Sequence, residues 1–304
     1  MFELIAQHFA WVQSPVVLAR QTLAGVSNGM LLFLISAGLS LIFGVLRILN
    51  FAHSALFMLG ALIAVSVAAL LPDPLAGFAA ALAGAAAGLA LLGAAIEISL
   101  LRRIYRAPHE MQLLLTFALV FILGDTAKLI WGPEEHSVAM PAILAGGVQA
   151  FGLVFPLYRL FLIAAGAAVA AGLWLILYRT RWGILIRAAT MDREMLAALG
   201  VNTRGLFTAV FTLGAALAGL GGALAAPVVA VGPGLHVQVL IDAFAVVVIG
   251  GLGSVLGAFI ASLLVGLVNA FGVLAFPGLA VVLTFACMAI VLVVRPRGLL
   301  GTAE

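Results

Sequence analysis

The sequence predicts an all-α integral membrane protein, a polytopic bundle of about eight or nine transmembrane helices. Hydrophobic residues make up 65% of its 304 residues and charged residues only 8%, whereas soluble domains carry about 25% charged residues. The hydrophobic residues come in unbroken blocks of about 20, the length that crosses a bilayer as a helix. These blocks lack the alternation of a transmembrane β-barrel, so helices must satisfy the backbone hydrogen bonds.

Nine apolar blocks are candidate membrane spans. They lie near residues 22–45, 51–71, 75–100, 111–131, 157–178, 206–231, 238–253, 255–274 and 278–294. The last part of this pattern is one long run, which Gly250, Gly251 and Gly253 interrupt. Because glycine weakens a helix and lets the backbone turn, we predict a break between two helices there. Gly257 and Gly253 form a GxxxG pair, which is typical of close helix packing.

The basic residues predict how the chain is oriented in the membrane. Eleven of its fourteen Lys and Arg residues fall in four segments, at Arg47, residues 102–106, residues 179–204 and residues 295–297. The positive-inside rule places these segments in the cytoplasm, with the N-terminus outside and the C-terminus inside. The net charge of +3 therefore reflects membrane topology, and we expect no nucleic-acid partner.

We expect a single membrane domain over residues 1–304, because no long polar linker divides the chain. Residues 1–20 are predicted to form a short amphipathic helix at the membrane interface. An outer loop is expected at about residues 132–156. An inner loop is expected at about residues 179–205.

The inner loop carries a second pattern of helical spacing. Ala188, Met191, Met195 and Leu199 recur at that spacing, and Gly200 follows as a C-terminal cap. We predict one short amphipathic helix, which either lies on the lipid headgroups or docks into a cytoplasmic partner. The length of the loop favours docking, since about four residues would connect two antiparallel helices.

Three polar residues open the second span, namely Asn50, His53 and Ser54. Polar groups at this position cost free energy unless they are paired or hydrated. Either Asn50 or Ser54 caps the helix by accepting from free backbone N–H groups, or the three residues line the path of a solute. Both interpretations stay open.

Charged residues inside the apolar spans are few. Asp125 and Lys128 are three residues apart on the fourth span and can neutralise each other. We interpret them as a structural ion pair, with a proton relay as the alternative.

Other acidic residues occur near the ends of the spans. Glu97 is expected to pair with Arg102 and Arg103, one turn further on. Asp242 and His236 are expected near the outer mouth, where they either receive a solute or face solvent.

We expect no bound cofactor and no catalytic site in this chain. Its only lysine, Lys128, does not belong to a GxxxxGK[S/T] sequence, so no Walker A loop binds ATP. The five histidines lack the spacing of metal ligands, and no HExxH or Ser/His/Asp set indicates an intramembrane enzyme. Uphill transport would then need an energy-supplying partner. The alternative is a secondary carrier in which Asp125, Lys128 and Asp242 form an ion relay.

Four segments of the chain resemble the branched-chain amino-acid ABC transporter permeases of the LivH type. They sample nearly the whole chain in order: NGMLLFLISAGLSLIFGVLRILNFAHSALFMLGA (Asn28–Ala61), RAATMDREMLAALGVN (Arg187–Asn202), VVVIGGLGSVLGAFI (Val246–Ile260) and RPRGLLG (Arg295–Gly301). The resemblance implies an importer in the bacterial inner membrane, with a second permease subunit of the LivM type, two ATPase subunits and a periplasmic binding protein. ATP would be used by the partners.

The resemblance also implies roles for particular segments. The segment around Asn50 and His53 would lie near the translocation path, although Ser54 stands where the family usually has glycine. The inner-loop residues that would couple to the ATPase are Arg187, Asp192, Arg193, Glu194, Ala197, Ala198 and Gly200. The implied solute is a branched-chain or related amino acid. Because the family also carries urea, short amides and aromatic acids, those solutes stay open.

Overall fold

Eleven α-helices and a short β-hairpin account for most of the computed structural model, which describes Val12 and residues 14–150 and 153–301. The helices are α1 (Pro15–Leu46), α2 (His53–Ala69), α3 (Pro74–Ile96), α4 (His109–Trp131), α5 (Leu157–Arg179), α6 (Arg181–Met191), α7 (Arg193–Ala198), α8 (Thr203–Ala225), α9 (Leu235–Gly250), α10 (Val255–Ala275) and α11 (Ala280–Val294). Helix α3 continues through a π-helical turn, Glu97–Leu101, and a last α-helical turn, Arg102–Ile104.

The described residues include six helices that are long and apolar enough to cross a membrane. These are α1, the extended α3, α4, α5, α8 and α10. Three shorter apolar helices, α2, α9 and α11, accompany them. The predicted fold class, a polytopic helical membrane protein, is confirmed. The predicted span 206–231 is too long, because α8 ends at Ala225 and a turn follows.

The first helix begins earlier than predicted. A proline at its first position, Pro15, suits a helix start because its fixed φ is helical and it has no N–H to satisfy. The helix therefore includes residues 15–20, which we predicted to lie in an interfacial helix; for those residues the prediction is wrong. The rest of that predicted helix, apart from Val12 and Ser14, lies outside the described residues.

Helices α1 and α8 form the centre of the bundle, and α3 and α5 expose much of their apolar surface. Lipid supplies little hydrophobic driving force between helices, so close packing relies on small residues. A Cβ atom on Gly60 of α2 would lie 2.5 Å from the Cα of Gly219 in α8. The two backbones therefore touch at this crossing, and only glycine allows it.

A turn of glycines joins α9 to α10. Helix α9 ends at Gly250, and Gly251 and Gly253 adopt φ values of +98° and +84°, which favour glycine. The chain after α11 returns to this turn, where the Leu299 N–H donates to the Ile249 carbonyl (2.8 Å) and the Leu300 N–H to the Gly250 carbonyl (3.0 Å). The C-terminal segment thus closes the turn.

The predicted loop at 132–156 contains secondary structure that we did not predict. Strands β1 (Gly147–Ala150) and β2 (Leu153–Pro156) pair antiparallel, after a 3₁₀ turn at Ala142–Leu144. His136 and Val231 exchange backbone hydrogen bonds of 2.8 and 2.9 Å, which fixes this loop to the segment between α8 and α9.

The two ends of the bundle differ in charge. At one end the last residues of α1, α3 and α5 meet the beginnings of α8 and α10 and the C-terminal segment. We call this the arginine-rich end, because it includes Arg102, Arg187 and Arg295. The β-hairpin loop and the contact between Gln21 of α1 and Ala270 of α10 lie at the opposite end.

Candidate functional sites

The inner loop forms two helices, α6 and α7, and not the single helix that we predicted. The break occurs at Asp192, whose backbone is extended (φ −149°, ψ 100°). Its carboxylate accepts hydrogen bonds from the N–H groups of Glu194 and Met195, both at 2.9 Å. An aspartate in this position satisfies free donors at a helix start, so the local capping preference outweighs the continuous helical pattern.

One face of this loop is buried and the other is exposed. Ile186, Ala189 and Leu196 pack into the main core. The predicted apolar positions Met191, Met195 and Leu199 point outward instead, with 83%, 58% and 74% exposure, and Ala188 is half-buried. We call Met191, Met195 and Leu199 the apolar row. Exposed apolar side chains on this loop either lie against the lipid headgroups or bind a partner, the two alternatives that the sequence leaves open.

The predicted coupling residues separate into two groups. Arg193, Glu194, Ala197 and Ala198 are exposed on α7, and Gly200 ends that segment with a φ of +82°. Arg187 belongs to the second group, since its guanidinium donates to the Leu177 carbonyl and lies 5.1 Å from the centre of the Tyr178 ring. Asp192 is occupied as a cap. The second group thus holds the loop in place.

The polar residues at the start of α2 are buried, and the capping prediction is wrong. The residue at the cap position is Ala52, and no side chain accepts there. The Ser54 hydroxyl donates to the Phe51 carbonyl (3.2 Å), and His53 Nε2 donates to the Ile35 carbonyl of α1 (3.0 Å). The Asn50 side chain is fully buried and finds no partner among the described residues.

Close packing surrounds these residues. A Cβ atom on Gly38 of α1 would lie 2.9 Å from His53 Nε2. This contact leaves no room for a solute between α1 and the His53 ring. The role of Asn50, His53 and Ser54 in a translocation path stays a prediction.

Asp125 and Lys128 lie on the surface of α4. Lys128 Nζ is 3.0 Å from Asp125 Oδ1, and the two side chains are 55% and 69% exposed. The two predicted partners therefore lie within ion-pair distance of each other, on the surface of the helix. The structural role of the pair stays a prediction.

Glu97 is the centre of a buried polar network at the arginine-rich end. Arg102 pairs with it (Nη2 to Oε2, 3.1 Å), as we predicted, and Arg103 has no hydrogen bond to it among the described contacts. The Tyr105 hydroxyl donates to Glu97 Oε1 (2.6 Å), and the Thr208 hydroxyl of α8 donates to Oε2 (2.7 Å). We did not predict these two partners.

The network connects the end of α3 to the first turns of α8. Arg102 Nη2 also contacts the Thr208 hydroxyl (2.6 Å), so the two helices share one set of hydrogen bonds. Burial and the neighbouring Glu97 raise the pKa of the Tyr105 phenol, which therefore stays protonated and donates. Helix α8 directly follows the inner loop, and the network fixes its beginning.

A cavity of about 250 Å³ lies among α1, α2, α8, α9 and α10, towards the opposite end. Its polar side chains are Asn28 from α1, Gln238 and Asp242 from α9, and Asn269 from α10. The Thr284 hydroxyl of α11 donates to Asn269 Oδ1 (2.7 Å), and Asn269 is hydrogen-bonded to the Asp242 carboxylate. We call Asn28, Gln238, Asp242 and Asn269 the polar cavity set.

The structure separates Asp242 from the residue with which we grouped it. The His236 ring faces α4, since a Cβ atom on Gly124 would lie 3.3 Å from His236 Cε1. The residues that line the cavity do not include His236. We missed Asn28, Gln238 and Asn269. The available signal was their isolation as polar residues within or beside apolar runs.

Comparisons with known proteins decide the family. The family model described as "Branched-chain amino acid transport system / permease component" matches residues 21–292. The chain belongs to this family. It is 29% identical over 301 residues to the branched-chain amino acid permease protein BraD of Pseudomonas aeruginosa, covering 94% of this chain and 96% of that one. It is 27% identical over 304 residues to LivH of Escherichia coli (strain K12), with the same coverage.

A solved structure shares the fold of this permease. PsaBC from Streptococcus pneumoniae in complex with Fab matches with a TM-score of 0.50 over 96% of this chain and 97% of that chain. At 16% identity, this similarity shows the fold alone. The family membership confirms the predicted LivH-type permease, a multi-pass membrane protein of an ABC importer.

Proposed function

We propose that this permease carries branched-chain or related amino acids inward across the bacterial inner membrane, driven by ATP hydrolysis on partner subunits. The proposed assembly contains a second permease subunit of the LivM type, two ATPase subunits and a periplasmic binding protein. The proposed solute is that of the relatives BraD and LivH, which are branched-chain amino acid transport permeases. The arginine-rich end faces the cytoplasm, in agreement with the positive-inside rule.

The observation that carries this proposal is the apolar row on the inner loop. A carrier that works alone has no need for exposed methionine and leucine side chains on a loop whose other face is held in the core. An ATPase subunit with a matching groove would bury them, and the charged side chains of Arg193 and Glu194 would orient the contact. Movement of the bound loop would then act on α8, which follows it.

The ion-coupled alternative receives no comparable support. Its relay would need Asp125, Lys128 and Asp242 to meet. Asp125 and Lys128 are exposed on α4, and the described lining of the cavity that contains Asp242 includes neither of them.

Replacing Leu199 by aspartate tests the docking of the ATPase. A charge in the middle of an apolar contact should cost about 2 kcal/mol or more, which is roughly a thirtyfold loss of affinity. We expect Leu199→Asp to lose co-purification of the ATPase subunits and solute-stimulated ATP hydrolysis. The matched control is Leu70→Asp, since Leu70 is 78% exposed at the other end of the bundle.

Charge reversals on α7 complete the test. Arg193→Glu and Glu194→Arg should abolish stimulated hydrolysis while the permease still inserts into the membrane. Normal coupling in all three inner-loop variants would contradict the proposal. Uptake of leucine into vesicles by this chain alone, driven by an imposed proton or sodium gradient without ATP, would contradict it independently.

A further inference from the structure

We propose that the cavity between α1, α9 and α10 is a binding site for a zwitterionic amino acid, in which Asp242 receives the ammonium group. The proposal rests on the proposed function, because it names how the same permease recognises its solute on the way through. The amides of the polar cavity set would complete the site, and its apolar wall would hold an aliphatic side chain.

The first argument is the cost of these residues. Polar side chains in membrane helices are expensive in hydrocarbon, and they generally face one another or a water-filled path. The polar cavity set comes from three helices that are mostly apolar, and all four residues line one cavity. Packing alone would place alanine or leucine there. The convergence indicates a polar occupant.

The second argument is charge. Asp242 is the one charged residue among the described residues that line the cavity. A carboxylate without a cationic side chain beside it attracts a positive group, and the attraction is stronger away from bulk water. A bare anion would be repelled, whereas a zwitterion can place its ammonium at Asp242 and its carboxylate on the amide N–H groups of Asn28 or Gln238.

The third argument is orientation. Because the Thr284 hydroxyl donates to Asn269 Oδ1, the Asn269 NH₂ group is left to face the Asp242 carboxylate. An amide held in this way neutralises less of the charge of a carboxylate than an arginine side chain would. The Asp242 carboxylate oxygens therefore keep acceptor capacity to spare for an ammonium group.

The fourth argument is size and the apolar wall. At about 250 Å³ the cavity lies just below the roughly 300–1,000 Å³ of pockets for drug-sized ligands, which suits a small solute. Leu31, Ile35, Phe57 and Val239 provide its apolar surface. An aliphatic side chain fits this surface better than urea does, since urea would leave it hydrated.

Thiol labelling tests the charge of the cavity without any transport step. In the assembled transporter, in a Cys287→Ala background, Leu235→Cys, which lines the cavity without belonging to the polar cavity set, should react from outside with a cationic methanethiosulfonate roughly tenfold faster than with an anionic one. Adding Asp242→Asn should remove this preference. L-leucine should slow the reaction when Asp242 is present and have no effect in Asp242→Asn.

A second position and a distant carboxylate serve as controls. Leu32→Cys, on the facing helix α1, should show the same charge preference and the same protection by L-leucine. Asp125→Asn should leave both unchanged, because Asp125 is on the surface of α4. Equal rates for the two reagents, failure of both cysteines to react, or absence of protection by L-leucine would overturn the proposal.

The outcome is separable from the proposed function. Loss of ATP dependence would refute the importer assignment and leave the charge preference of labelling intact. Conversely, in an ATP-dependent importer, Asp242→Asn should reduce leucine uptake at least tenfold while solute-stimulated ATP hydrolysis remains. Uptake at the normal rate in Asp242→Asn would overturn the ammonium site and leave the importer assignment standing.

Discussion

Two carboxylates within the bundle, Glu97 and Asp242, differ in what surrounds them. Glu97 is fully buried and receives hydrogen bonds from Arg102, Tyr105 and Thr208. Asp242 is only partly buried, and its neighbours in the cavity are amides. A carboxylate with its own cation holds two helices together, whereas one without a cation remains able to bind a positive group of a solute.

The π-helical turn at Glu97–Leu101 belongs to this comparison. A π-turn widens a helix locally and is frequent at functional positions. Here it precedes Arg102, whose side chain reaches back five residues to Glu97 and across to Thr208. The irregular turn thus allows one arginine to join α3 and α8 at the end where the inner loop enters the bundle.

The largest expected loss of stability comes from breaking the network around Glu97. Glu97→Gln leaves Arg102 without its counter-charge, and breaking such a buried pair costs about 3–5 kcal/mol. We expect the low end of this range, because the Arg102 side chain is 32% exposed. Thermal unfolding in detergent and the yield of folded protein would measure it.

Glu110→Gln is the matched control, since Glu110 is exposed at the start of α4. An unchanged unfolding temperature in Glu97→Gln would show that the network does not stabilise the bundle. The comparison with Asp242 would then lose its basis.

The next largest loss of stability is expected for α8, the helix that connects the Glu97 network to the cavity. Helix α8 carries Thr208 at one end and Ala225, beside the cavity, at the other. Gly60→Ala would force α2 away from α8 at Gly219, and overpacking of this kind costs roughly 1–3 kcal/mol. Gly172→Ala in α5 is the control, because a Cβ atom there meets nothing within 4 Å.

Thermal unfolding of the two glycine variants would measure the difference. Gly172→Ala should be neutral or slightly stabilising, since alanine favours a helix over glycine by about 1 kcal/mol. Equal stability of the two variants would contradict the close contact of α2 and α8.

The smallest effect is expected for a third carboxylate, Asp125. Its pair with Lys128 is exposed, and exposed pairs contribute about 0.2–1 kcal/mol. Asp125→Asn should lower stability by no more than this, and Lys128→Met should restore part of it. Leucine uptake by the double variant should still require ATP and be insensitive to a proton ionophore. A double variant without transport would favour the relay interpretation.

The sequence predicts features that lie along one helix better than features that join several helices. The pairing of Glu97 with Arg102 and the break at Gly250–Gly253 follow from spacing within one segment. The partner Thr208 and the polar cavity set come from separate helices, and composition does not say which helices are neighbours. The composition and the length of the apolar blocks supplied the fold class without supplying these contacts.

Local competition explains the other differences. The pattern from Arg187 to Leu199 is helical throughout, yet Asp192 caps a new helix and interrupts it. Asn50 and Ser54 are common capping residues, but the chain places Ala52 at the cap and buries its polar neighbours. At Asp192 the local cap decides the structure, whereas at the start of α2 contacts with distant residues, such as the hydrogen bond from His53 to Ile35, accompany burial of the polar side chains.

The hydrogen bonds from Leu299 and Leu300 to the α9–α10 turn have a consequence for synthesis of the protein. A ribosome makes the turn first and then two further helices before it reaches the residues that close it. The turn therefore stays open during translation and closes after α11 has been made. A chain stopped before Leu299 would contain the residues of every helix described above, yet it would leave the carbonyls of Ile249 and Gly250 without these partners.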